Sequence, residues 1–108
     1  MNDELKNRFG DLVDASVLDH QKADKIISNH PDLLNFGGSV WGATPLHFCV
    51  IENFPVGVKY LISKGADVNK PDSYGDTPLM SAALCGKADL CRDLLEAGAA
   101  LDPVSSLT

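Results

Sequence analysis

The residues GATPLHFCVIENFPVGVKYLISKGADVN, Gly42 to Asn69, lie without a gap over GDTPLMSAALCGKADLCRDLLEAGAALD, Gly75 to Asp102, at an offset of 33 residues. Gly42/Gly75, Thr44/Thr77, Pro45/Pro78, Leu46/Leu79, Leu61/Leu94, Gly65/Gly98 and Ala66/Ala99 are identical. Trp41/Tyr74, Ile51/Leu84, Lys59/Arg92, Ile62/Leu95, Val68/Leu101 and Asn69/Asp102 are similar in kind. An internal period of this length marks a repeat architecture, in which each copy is too small to bury its apolar face alone and does so against its neighbours.

Each copy parses into the same local structure. Thr44 and Thr77 stand where a hydroxyl can accept from the first free N–H groups of a helix, and Pro45 and Pro78 follow at the first helical position, where the missing donor costs nothing. Leu46, Cys49 and Val50, and then Leu79, Ala82 and Ala83, form an apolar stripe at helical spacing, mostly of small side chains. Asn53 and Gly86 follow, residue types that accept the left-handed conformation needed to turn the chain back. Val58, Leu61 and Ile62, or Leu90, Cys91, Leu94 and Leu95, carry a second helix that Gly65 or Gly98 stops. Gly57 stands where the later copy has Leu90, so the second helix of the earlier copy is expected to be the weaker, and Gly57→Ala to be neutral or stabilising.

Gly-x-Thr-Pro-Leu-His, a small-residue pair, Asn or Gly, an apolar second helix and Gly-Ala-Asp-Val-Asn resemble the ankyrin repeat. The resemblance implies an all-α repeat fold, a solenoid of stacked helix-turn-helix units with β-turn fingers. It divides the single domain 1–108 into an N-terminal capping repeat over 1–38, repeats over 39–71 and 72–104, and a tail over 105–108 that is expected to be the start of a further repeat. The first unit lacks Thr-Pro and Gly-Ala-Asp. It supplies one stripe from Leu12, Ala15 and either Val17 or Leu18, and another from Ala23, Ile26 and Ile27, with Pro31-Asp32-Leu33-Leu34-Asn35 standing where the later copies have Gly-Ala-Asp-Val-Asn. The last unit keeps its outer positions apolar where a terminal repeat normally turns polar, so two readings stand: further ankyrin repeats follow C-terminally in a longer chain, or this end packs on another molecule.

Composition narrows the partner. With 44% apolar and 22% charged residues the 108-residue chain reads as an ordinary globular domain, and nine Lys plus Arg against fifteen Asp plus Glu give a net charge of −6. That balance argues against nucleic acid and favours solubility or a basic partner. No signal-peptide pattern follows Met1 and no apolar run is long enough to cross a bilayer, so neither export nor a membrane partner is expected. The expected location is the cytoplasm, with the nucleus left open. Cys49, Cys85 and Cys91 are odd in number and form no Cys-x-x-Cys pair, which fits reduced thiols.

Ankyrin-like stacks bind other proteins through their finger tips and first helices, at positions the repeat pattern leaves free. Carried onto this sequence, those positions are Val40, Trp41 and Ala43 in one finger and Ser73, Tyr74 and Asp76 in the next, with Ile51, Glu52, Leu84 and Cys85 on the first helices. Trp and Tyr are the residue types that most often dominate interface energies, although Trp41 can equally serve to pack its own finger. His47 resembles the family's inter-repeat hydrogen-bonding residue, and Met80 at the equivalent place shows that the position tolerates a side chain without an imidazole. No Cys/His spacing fits a metal site and no nucleophile–base pair is visible, so neither cofactor, metal nor catalysis is expected. Cys49 and Cys91 align with packed positions, and Cys85 is the thiol expected to be exposed. The expected function is a non-catalytic protein–protein interaction module, a scaffold or targeting arm. The alternative is a small acidic inhibitor or immunity-type protein that occludes a basic site on an enzyme or toxin.

Overall fold

Among the described residues the chain forms six α-helices: α1 (Asn2–Leu18), α2 (His20–Asn29), α3 (Pro45–Ile51), α4 (Pro55–Ser63), α5 (Pro78–Leu84) and α6 (Ala88–Glu96), with a 3-10 turn at Pro31–Asn35. The computed structural model describes residues 2–38 and 41–100, with side chains from Arg8 onward. Consecutive helices pair as hairpins, α1 with α2, α3 with α4 and α5 with α6, and the hairpins stack through α1 on α3 and α4, and α3 on α5. No strand forms among the described residues.

Local chemistry starts and stops these helices as the repeat predicts. The Thr44 hydroxyl accepts from His47 N and the Thr77 hydroxyl from Met80 N, both at 3.3 Å, with Pro next in each case. Asn53 at φ 60° and Gly86 at φ 69° make the reversals into α4 and α6. In the first unit, where no Thr-Pro exists, Asp19 caps α2 by accepting from Lys22 N at 3.1 Å.

The core runs through all three hairpins. Leu12, Leu33, Leu46, Leu61, Leu90 and Leu94 are its largest fully buried apolar side chains. In the first unit Leu12, Ala15, Ala23 and Ile26 are buried and Val17 is half-buried, whereas Leu18, the other candidate for that stripe, ends α1 in solvent at 82% exposure. An aromatic chain joins α1 to the fingers: Phe9 meets Phe36 and Phe48 edge-on at 6.4 and 5.4 Å between ring centroids, and Phe48 stacks on Trp41 at 5.9 Å.

Polar ties fix the register between units. Asn35 Oδ1 accepts from Asp67 N at 2.7 Å, and Asn69 Oδ1 accepts from Ala100 N at 2.8 Å, so Asn35 does for the first junction what Asn69 does for the second. On the outer helices the Tyr60 hydroxyl donates to Asp24 at 2.6 Å, Lys64 Nζ lies 2.9 Å from the same carboxylate oxygen, and the His20 ring stacks on Tyr60 at 4.2 Å. The Tyr60 hydroxyl and then Lys64 hold the Asp24 carboxyl below its usual range, while burial and the neighbouring carboxylate push the Tyr60 phenol well above its own.

Two expectations about packing are corrected. Ala83 belongs to the apolar stripe of the third unit but is exposed, unlike its counterpart Val50, which is fully buried. Helix α5 packs along α3, and no described helix packs along α5 from the far side. Gly57 is not a weak point. It is buried within α4 with no left-handed backbone, and a Cβ there would lie 2.7 Å from Cys49 Sγ, 3.0 Å from Ser16 Oγ and 3.1 Å from Val17 Cγ2. The missing side chain is what lets α1 and α3 close on α4.

Candidate functional site

The finger between the second and third units is built from short-range chemistry. Asp72 Oδ1 accepts from Tyr74 N at 2.9 Å and from Asp76 N at 3.0 Å, and Asp72 N donates to Asp76 O at 2.9 Å, closing a tight loop with Tyr74 at its tip. Ser73 N then donates to Trp41 O at 2.8 Å, which joins this finger to the preceding one.

His47 locks the finger to α3. Thr44 N donates to His47 Nδ1 at 3.1 Å, which makes Nδ1 an acceptor and leaves the proton on Nε2. Nε2–H donates to Asp76 O at 2.8 Å. The imidazole has no exposed surface, and burial lowers its pKa below the usual 6.5 because the charged form loses hydration. Its role is therefore to position a finger.

Between this finger and the first helices lies an open groove of 310 Å³, lined by Trp41, Ile51, Asp72, Tyr74, Asp76, Ser81, Leu84 and Cys85. Six of the positions that the repeat pattern leaves free, Trp41, Ile51, Tyr74, Asp76, Leu84 and Cys85, line this one surface. Tyr74 and Leu84 are each 79% exposed, a large apolar display for side chains of this kind. Trp41 is half-buried: it stacks on Phe48 and lines the groove as well. Glu52 and Ser73 are exposed but lie outside the lining. Val40 lies outside the described residues.

Ala43 is a correction. It has no exposed surface, so it cannot meet a partner. Two lining residues escaped the sequence reading. Ser81 stands three and four positions before Leu84 and Cys85 and so shares their helical face, a spacing that could have found it. Asp72 could have been found only as the acceptor that closes its own turn.

Among the described residues no group of three or more His, Cys, Asp or Glu side chains is placed to hold a metal ion, and no helix is long and apolar enough to cross a membrane. Of the three thiols, Cys85 is exposed, Cys91 half-buried and Cys49 fully buried. Burial pushes the Cys49 thiol pKa up, against a contact of 3.5 Å to Ser16 Oγ.

The family described as ankyrin repeats (3 copies) matches residues 9–104. The chain belongs to the ankyrin-repeat family. Ankyrin repeats generally mediate protein–protein interaction. Among curated relatives, the RelA-associated inhibitor of Mus musculus is 46% identical over 61 residues, covering 56% of this chain and 7% of that protein. A putative ankyrin repeat protein of Rickettsia bellii is 33% identical over 85 residues, covering 78% of this chain and 35% of that one. This ankyrin chain thus spans half or less of the length of curated relatives such as these, and under a tenth of several of them. A solved structure of a predatory endopeptidase from Bdellovibrio bacteriovorus in complex with an immunity protein contains a chain that superposes with a TM-score of 0.69 at 25% identity, covering 79% of this chain and 44% of that one.

Proposed function

We propose that the chain is a non-catalytic binding module that engages a partner protein through the groove between its second and third units. The observation that carries this reading is the display of Tyr74 and Leu84, each 79% exposed, in the lining of a largely apolar groove whose finger is held in place by a hydrogen bond from the buried His47 ring. A rigid frame that presents exposed apolar and aromatic side chains avoids the ordering entropy a flexible loop would lose on binding.

Tyr74→Ala and Leu84→Asp test it, since both residues are exposed and neither change should disturb the fold. Affinity capture from a cell extract with the wild-type chain, followed by the two variants and by Phe54→Asp as a control on a separate exposed patch, reads the outcome. The expected result is a captured protein lost with Tyr74→Ala and Leu84→Asp and kept with Phe54→Asp. Loss with Phe54→Asp alone would move the binding face to the helix-turn edge.

The second reading, an acidic immunity-type inhibitor that occludes a basic site, draws support from the superposition on a chain of an endopeptidase–immunity protein complex and from the net charge of −6. Charge steering predicts an association rate that falls steeply between low and physiological salt, whereas apolar anchoring predicts little change.

A further inference from the structure

The groove's titratable side chains set what can enter it. Asp72 and Asp76 line it, no Lys or Arg among the described residues does, and Asp76 forms no ion pair with any described residue. Asp72 spends Oδ1 on the finger's own N–H groups and still brings a negative charge to the rim. At His47, behind the groove's finger, Lys70 acts more weakly than either aspartate. Both aspartates are half-buried residues and line the groove together with Trp41, Tyr74 and Leu84. Any apolar residue seated there takes them further out of water, which is unfavourable unless a cation comes with it.

We infer that the groove takes a partner segment in which an apolar side chain packs against Leu84 and Ile51 while an adjacent arginine lies against Asp76 beside the Trp41 and Tyr74 rings. Arginine fits better than lysine, because a guanidinium can donate to a carboxylate and stack on an aromatic face at once, and it sheds water more readily than an ammonium. This rests on the groove being the binding face, and it adds the chemistry of what binds.

A phage-displayed library of random 12-residue peptides, selected on the whole chain, with the selected peptides then assayed on Leu84→Asp, tests it. The expected outcome is enrichment of arginine next to an aliphatic or aromatic residue. A synthetic copy of the enriched peptide should change the fluorescence of Trp41, the chain's single tryptophan. Its affinity should fall about tenfold when its arginine becomes glutamine, and by a similar factor in Asp76→Asn, with no further loss when the two changes are combined. Enrichment of lysine, neutral or acidic residues in place of arginine, or binding indifferent to Asp76→Asn, overturns the inference and leaves the groove as the binding face. Selected peptides that bind Leu84→Asp as well as the wild type, or no enrichment at all, overturn the groove reading with it.

Discussion

His47 and Asp76 stand 29 residues apart in sequence and meet at 2.8 Å, an imidazole N–H on a backbone carbonyl, so that a helix of one unit holds the finger of the next. The buried ring must stay neutral, because its Nδ1 accepts from Thr44 N and its Nε2 donates.

This has a pH consequence with a definite sign. The folded-state pKa of His47 lies below its unfolded value near 6.5, so between those two values the unfolded chain binds the proton and the folded one does not. Stability contributed by neutral His47 is complete above pH 6.5 and is lost as pH falls below it. Urea denaturation from pH 7.5 to 5 should show the midpoint falling, and His47→Met should flatten that slope. The same variant should cost roughly 2 kcal/mol at neutral pH by leaving buried polar groups unpaired. A slope unchanged in His47→Met would assign the pH dependence elsewhere.

Gly57→Ala should destabilise the fold, although helix propensity alone favours alanine by about 1 kcal/mol. The new methyl would sit 2.7 Å from Cys49 Sγ, and overpacking of a tight core typically costs about 1–3 kcal/mol. Chemical denaturation of Gly57→Ala, Cys49→Ala and the double variant checks the cause. Removing the sulfur should make the double variant more stable than the sum of the singles predicts, whereas strict additivity would mean that the close approach relaxes freely.

Thiol labelling should separate the three cysteines. Exposed Cys85 should react rapidly with a disulfide reagent in the native state, and Cys85→Ser should abolish that fast phase. Cys49, buried and with its pKa raised, should react only on unfolding. A native chain in which Cys49 labels as fast as Cys85 would show that the α1–α3–α4 contact opens readily.

Much of the site was legible because the repeat makes it so. Once Trp41 aligns with Tyr74 and Ile51 with Leu84, the positions that do not build the unit stand out, and six of the residues chosen this way line one groove. Ala43 failed because residue type and alignment carry no information on whether a small side chain is covered. Asp72 was overlooked because its role is to close a turn.

By itself the order of residues determined the unit and its period, since a threonine cap, a proline at the first helical position and an Asn or Gly reversal act within a few residues of themselves. The match of the family to residues 9–104 accords with that reading. Tertiary structure alone decided that Gly57 is a close-packed contact, that Ala83 is exposed while Val50 is buried, and that His47 reaches Asp76. Each of these depends on what another helix, of the same unit or the next, places against the residue, and that distance has no counterpart in the chain's local chemistry.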